Sequence, residues 1–173
     1  MGVQDKMAEK GIWIAFEGND GSGKTTQIRD VAEFLRSQGK EVVETREPGG
    51  NNYSEQVRKL IFDHEVANDP QSQLLLFAVS RRRNIADVVL PALKEGKIVI
   101  SDRSEGSTYA YQHYQFGLPL KKVQTINDFA TDGIKPDLTV LLDVDIETAH
   151  ARMLKAKGVE VNHFDLFDRD AWL

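Results

Sequence analysis

Residues Gly18-Asn19-Asp20-Gly21-Ser22-Gly23-Lys24-Thr25-Thr26 fit the pattern G-x-x-x-x-G-K-[ST] and follow the apolar run Ile12-Trp13-Ile14-Ala15-Phe16. That spacing, between a strand and a helix, makes a phosphate cradle. Glycines let successive backbone N–H groups turn inward, and the following helix adds the positive end of its dipole, so a polyphosphate meets a concave set of donors. Lys24 then reaches the β- and γ-phosphates, and the Thr25 hydroxyl is a ligand for Mg²⁺. The nine residues predict a nucleoside-triphosphate site and leave the reaction open.

Two more clusters have types suited to phosphate chemistry: Arg46-Glu47-Pro48-Gly49-Gly50 after the apolar segment Val42–Thr45, and Asp102-Arg103-Ser104 after Ile98–Ser101. Phosphoryl transfer needs cations to offset phosphate charge, a carboxylate to place metal or water, and little covalent help from the protein. Arg46 and Arg103 meet the first need and Asp102 the second. Taken singly, each is equally a solvated strand-end charge in an ion pair. The run Arg81-Arg82-Arg83 suggests a nucleic-acid patch, but on a helix the three side chains diverge. Phe77 lies four residues before Arg81 on one helical face, where an aromatic and a guanidinium can hold a flat base. Core packing within Leu74–Val79 is the competing reading for Phe77.

The elements that must position these groups alternate. Four β-rich segments, at Ile12–Phe16, Val42–Thr45, Ile98–Ser101 and Leu138–Leu142, are separated by stretches of helical spacing, the pattern of parallel strands with crossover helices. The first helix is predicted from the phosphate loop to Gln38, stopped by Gly39. A second begins at Ser54, and a long one covers Asp69 to Leu93, with Pro91 ending or bending it. Others fall at Glu105–Gln115, Leu120–Thr131 and Ile146–Lys157. In an open parallel sheet the carboxyl ends of the strands line one crevice, so the three clusters should converge.

Composition narrows the partners. With 173 residues, 40% hydrophobic and 28% charged, the chain suits one globular domain. Twenty-two basic against 27 acidic residues give a net charge of −5, which disfavours a nucleic-acid polymer. No cysteine is present, which excludes disulfides and thiolate metal sites. The start, residues 1–10, lacks the apolar core of a signal peptide, and no apolar run is long enough for a bilayer. These features predict a cytoplasmic protein without a membrane partner.

Five motifs in order resemble those of thymidylate kinases: Phe16-Glu17 through Thr26; Thr45-Arg46-Glu47-Pro48-Gly49-Gly50; Leu75-Leu76-Phe77-Ala78-Val79-Ser80-Arg81; Ser101-Asp102-Arg103 with Ser107 and Ala110-Tyr111-Gln112; and Pro136 through Val144. The resemblance runs from Ile12 to about Arg152. It implies a P-loop NTPase-type three-layer α/β sandwich, with a parallel sheet of four or five strands, that transfers the γ-phosphoryl of ATP to dTMP with Mg²⁺, in a homodimer. By matching position, Gly18 through Thr26 and Arg152 would contact ATP, with Arg152 near the adenine. Thr25 and Asp102 would hold the metal, and Lys24, Asp20, Asp102 and Arg103 would form the catalytic set. Asp20 would also approach the sugar 3′-hydroxyl. Arg46 and Arg103 would grip the dTMP phosphate, Glu47 and Pro48 would belong to the substrate site, Phe77 would stack on thymine, and Arg81 would bond its O4. Ser107, Tyr111 and Gln112 would line the deoxyribose and base.

Two features depart from that family. Its usual lid or loop arginine has no clear counterpart: Gly21 stands in the loop, and the lid expected near residues 153–165 offers Lys155 and Lys157, with Arg169 later in the chain. The family also continues with a strand and a terminal helix beyond the position of Leu173, so residues 1–173 read as a single kinase domain short of those elements. Two alternatives stand beside the kinase reading. A deoxynucleoside kinase is suggested because Asp102-Arg103-Ser104 resembles that group's acidic-Arg-Ser motif, and a nucleotide-binding protein of weak turnover is suggested by the altered lid.

Overall fold

Alternation in the first strand sets up two packing faces. In the computed structural model, which describes residues 10–63, 66 and 68–157, β1 (Ile12–Gly18) buries Trp13 and Ala15 toward one side and Phe16 toward the other. Three further strands, β2 (Val42–Arg46), β3 (Ile98–Asp102) and β4 (Leu138–Leu142), pair with it in the order β2-β3-β1-β4, and every pairing is parallel. Parallel neighbours need crossovers, and helices supply them.

On one face, α1 (Lys24–Ser37) packs Ile28 and Ala32 against Phe16 and Ile100. On the other, Ile85, Val89 and Ala92 pack against Trp13 and Val99. Burying a side chain of this size stabilises by about 1.5–3 kcal/mol, so the two clusters hold the helices to the sheet and make three layers. Trp13 Nε1 donates to Ser101 Oγ at 2.9 Å, which satisfies the indole without a break in the apolar layer. Between β2 and β3 run α2 (Asn52–Ile61), α3 (Pro70–Asn84) and α4 (Leu90–Lys94). After β3 come α5 (Glu105–Thr108) and α6 (Leu120–Thr131), and α7 (Ile146–Lys157) follows β4.

The expected strands are present, three of them extended by one or two residues at the carboxyl end. The helix expected over Asp69 to Leu93 is not one helix. Asp69 is the cap of α3, accepting from Gln71 N–H at 3.1 Å, and a π turn at Ile85–Val89 separates α3 from α4. There Leu90 N–H donates to Ile85 O, a wider register that accommodates Pro91, which has no N–H and would clash one α-turn back. Likewise the helix expected at Glu105–Gln115 changes after Thr108 into a π turn, Tyr109–Gln115. The first widening sits where Pro91 marks a break in the sequence, whereas the second has no such residue.

Ile100 is fully buried in the α1-side cluster. Ile100→Ala should lower unfolding stability by about 2–5 kcal/mol, read as a reduced urea midpoint with an unchanged slope.

Candidate active site

Register brings the chemistry together. Phe16 of β1 and Arg46 of β2 both pair with Asp102 of β3, so β2 and β3 end at one level and β1 continues only to Gly18 beside β4. From β1 the chain crosses toward β2, and from β3 it crosses to β4 on the opposite side. The ends of β1 and β3 therefore form a topological switch point, where an α/β sheet opens its ligand crevice.

The phosphate loop leaves β1 there. Gly23 enters α1 at φ 100°, and no side chain caps the helix, so its first N–H groups remain available to a ligand. Lys24 is buried and donates to Gly18 O at 2.8 Å and Asn19 O at 2.9 Å, which curls the loop around its own ammonium. Burial, and next the Arg103 charge, lower its pKa from the ordinary lysine value, against the opposing pull of Asp20 and Asp102. Asn19 donates to Val144 O, Ser22 is buried beside Gly18, and Thr25 and Thr26 line the crevice floor. Arg152 of α7 reaches Ser22 O at 3.4 Å and lines the same side. Gly21 has no room for a side chain: a Cβ there would lie 2.2 Å from Ala149 O of α7, so an arginine could not stand at this place in this packing.

Arg103 sits across the crevice with φ 70°, a strained value for a side-chain-bearing residue. Its N–H donates to Phe16 O at 2.8 Å, while its guanidinium donates to Asp20 Oδ1 and to Ser107 Oγ at 2.9 Å and stands over the Tyr111 ring. Burial works against its charge, yet Tyr111, Asp20, Glu17 and Asp102 together raise its pKa. Glu17, not among the expected site residues, anchors this loop: its carboxylate accepts from Ser104 N at 2.9 Å, Ser107 N at 3.2 Å and Ser107 Oγ at 2.6 Å. Asp102 faces the phosphate side, and its buried Oδ1 has no hydrogen-bond partner among the described residues. An orphaned carboxylate oxygen in a crevice that Thr25 also lines fits a divalent cation, whose ligands are hard oxygens.

Arg46 lies on the crevice wall with 55% of its side chain exposed, paired with Glu55 through both carboxylate oxygens at 3.1 and 2.9 Å. Arg58 of α2 was not legible as a site residue, since an arginine on an amphipathic helix ordinarily faces water. Here it donates to Pro48 O at 2.7 Å, stacks on Phe62, and lines both the phosphate side and an adjoining apolar pocket. Burial, and then the neighbouring Arg46, lower its pKa.

That pocket is lined by Phe77, Arg81, Ser107, Tyr111 and Gln112, as the sequence suggests, and also by Gln73, Thr108 and Phe116. Phe77 faces the cavity from α3 and is only half-buried, so it presents a ring to whatever binds there. Arg82 and Arg83 turn outward to Asp132 and Asp87, which disposes of a basic patch. Glu47 is buried against Arg81, and Pro48 lines the pocket. Burial raises the Glu47 pKa, opposed by Arg81. Of the lid expected near residues 153–165, residues 153–157 form the last part of α7, and the remainder, with Arg169, lies outside the described residues.

A sequence model of thymidylate kinases matches residues 16–171. The chain belongs to the thymidylate kinase family. Among curated relatives, a thymidylate kinase of Clostridium novyi (strain NT) is 46% identical over 158 residues, 91% of this chain and 77% of its own length. One from Thermoanaerobacter sp. (strain X514) is 42% identical over 163 residues, 94% of this chain and 77% of its own. The crystal structure of thymidylate kinase from Ehrlichia chaffeensis superposes with a TM-score of 0.72 at 39% identity, over 84% of this chain and 85% of that one. The fold is thus that of a P-loop NTPase, and the family is one of ATP-dependent nucleoside monophosphate kinases. Among the described residues no helix is long and apolar enough to cross a membrane.

Because Gly21 combines φ +81° with backbone contact to α7, Gly21→Ala should displace the phosphate loop. Isothermal calorimetry should show ATP binding weakened by about tenfold or more, a loss of at least about 1.4 kcal/mol.

Proposed function

We propose that the crevice transfers the γ-phosphoryl of ATP to dTMP, giving ADP and dTDP. The observation that carries this reading is a pair of adjoining pockets of different chemistry, joined by Asp20, Glu47, Arg58 and Arg103, which line both: one holds the phosphate loop with Lys24 and Arg46, the other Phe77 with Arg81. An acceptor of matching shape has a flat base and an anionic tail. Three guanidinium groups at the tail favour a monophosphate over a neutral nucleoside, which distinguishes this reading from a deoxynucleoside kinase.

An oxygen of the acceptor phosphate attacks the γ-phosphorus, the bond from that phosphorus to the β–γ bridging oxygen breaks, and ADP leaves with those electrons. Lys24 holds the donor phosphates, and the uncapped N–H groups of α1 share their charge. Arg103 lies between the loop and the pocket, where charge on the transferring group is greatest, and Asp20 keeps its fork aligned. Thr25 and Asp102 would hold Mg²⁺, which when bound screens the β- and γ-oxygens. Arg46 and Arg58 orient the acceptor phosphate, and Arg152 borders the donor on the loop side. Tyr111, over Arg103, crowds the sugar. A homodimer in the cytoplasm belongs to the same reading and is supported by family membership.

The test is an acceptor panel with ATP and Mg²⁺: dTMP should be phosphorylated well above dCMP, UMP and thymidine. Equal turnover of the nucleotides defeats the thymine assignment, and preference for thymidine defeats the monophosphate assignment. Arg103→Lys should lower kcat by about 10²-fold or more, because one ammonium cannot serve Asp20, Ser107 and a phosphate with fork geometry. In Arg58→Ala the KM for dTMP should rise about tenfold while the KM for ATP changes little.

A further inference from the structure

Arg81 is almost wholly enclosed, with 2% of its side chain exposed. A guanidinium has five N–H donors. Nε donates to Glu47 Oε2 at 2.6 Å, and Nη2 donates to Ser104 O at 3.1 Å and Thr108 Oγ1 at 2.9 Å. Nη1 donates to Asn127 Oδ1. These contacts commit four donors to protein and leave one Nη1–H for a ligand in the pocket that Arg81 lines.

Asn127 has a different standing from the other three partners. It sits on α6, is fully buried, and is not among the residues that line the pocket, whereas Glu47, Ser104 and Thr108 are. The guanidinium offers only donors, so the amide must turn its oxygen toward Arg81. The amide Nδ2 is then left buried with no hydrogen-bond partner among the described residues. A buried donor without a partner is unfavourable. That arrangement makes the carbonyl contact to Nη1 the interaction this side chain supplies.

We infer that Asn127 is a positioning residue for base choice: by occupying one Nη1–H it aims the other at the base edge, where a keto oxygen accepts and an amino group cannot. The inference rests on the reading that Arg81 faces the base of the acceptor. The two Nη1–H bonds diverge at a fixed angle in a planar group, so anchoring one sets the direction of the second. Without the anchor, the contacts through Nε and Nη2 remain but Nη1 keeps no partner of its own, so the guanidinium can tilt within them and its aim at a carbonyl weakens. Among the described residues that line the phosphate side Asn127 does not occur, so donor binding should not respond.

The experiment compares wild type, Asn127→Leu and Asn127→Asp for kcat and KM with dTMP, dCMP and ATP, alongside thermal unfolding. Asn127→Leu, similar in size but without an acceptor, should raise the KM for dTMP about tenfold and narrow the dTMP over dCMP preference by a similar factor. The KM for ATP should hold. Asn127→Asp, which keeps an acceptor oxygen at the same place, should retain the preference. If Asn127→Leu does not fold, Asn127→Ser, whose hydroxyl is too short to reach Nη1, carries the same expectation. An unchanged preference in the Leu or Ser variant, an equal loss in Asn127→Asp, or a parallel rise in the KM for ATP overturns the positioning role while leaving the kinase reading intact. A wild-type chain with no preference between dTMP and dCMP removes the base-facing role of Arg81, and this inference with it.

Discussion

Like charges crowded into one crevice repel, and the arrangement of this protein is organised around holding them there. Lys24, Arg103, Arg58 and Arg46 line a common wall before any phosphate arrives. Each is restrained by oxygen acceptors of the protein: Lys24 by the Gly18 and Asn19 carbonyls, Arg103 by Asp20, Arg58 by the Pro48 carbonyl, and Arg46 by Glu55. These partners are weaker rivals for the cations than a polyphosphate, since carbonyls carry no full charge and each carboxylate only one. On the proposed reading these restraints hold the cations in place for phosphates, a form of electrostatic preorganisation.

The restraints depend in turn on the sheet. Parallel pairing places Asp102 level with both Phe16 and Arg46, and Glu17, at the end of β1, reaches across to fix the backbone that carries Arg103. The positive φ at Arg103 is strained for an arginine, and it persists because Phe16 O takes its N–H while Glu17 and Asp20 fix the neighbouring groups. In the adjoining pocket the same logic operates with hydrogen-bond direction instead of net charge. Arg81 is surrounded by acceptors from the loop after β2, the start and end of α5, and α6, which together determine where its remaining donor points.

Much of this was legible from the residues. Strand positions follow from short β-branched runs, because side chains packed on both faces of a parallel sheet must be apolar. The phosphate loop and Arg103 with Asp102 are readable because their placing depends on local spacing, a loop and a strand end, whereas for Phe77 beside Arg81 spacing left core packing open and only the resemblance pointed to a pocket. The divergence of Arg81, Arg82 and Arg83 follows equally from the 100° step of a helix.

Other features had no local signal. Arg58 and Asn127 lie on helices whose pattern says only that one side is buried, and their partners are 10 and 46 residues away along the chain. The two π turns answer to packing, around Pro91 in one case and at the pocket wall formed by Tyr111 and Gln112 in the other. Arg46 reads as a phosphate ligand in sequence, whereas its pairing with Glu55 emerges only once α2 folds back over the crevice. The amino-acid order determined the layers, the cradle and the types of group at each strand end, since these rest on periodicity and short-range geometry. Which of those groups face one another, and which acceptors hold each guanidinium, were decided by tertiary structure, because such contacts form between segments far apart in the chain.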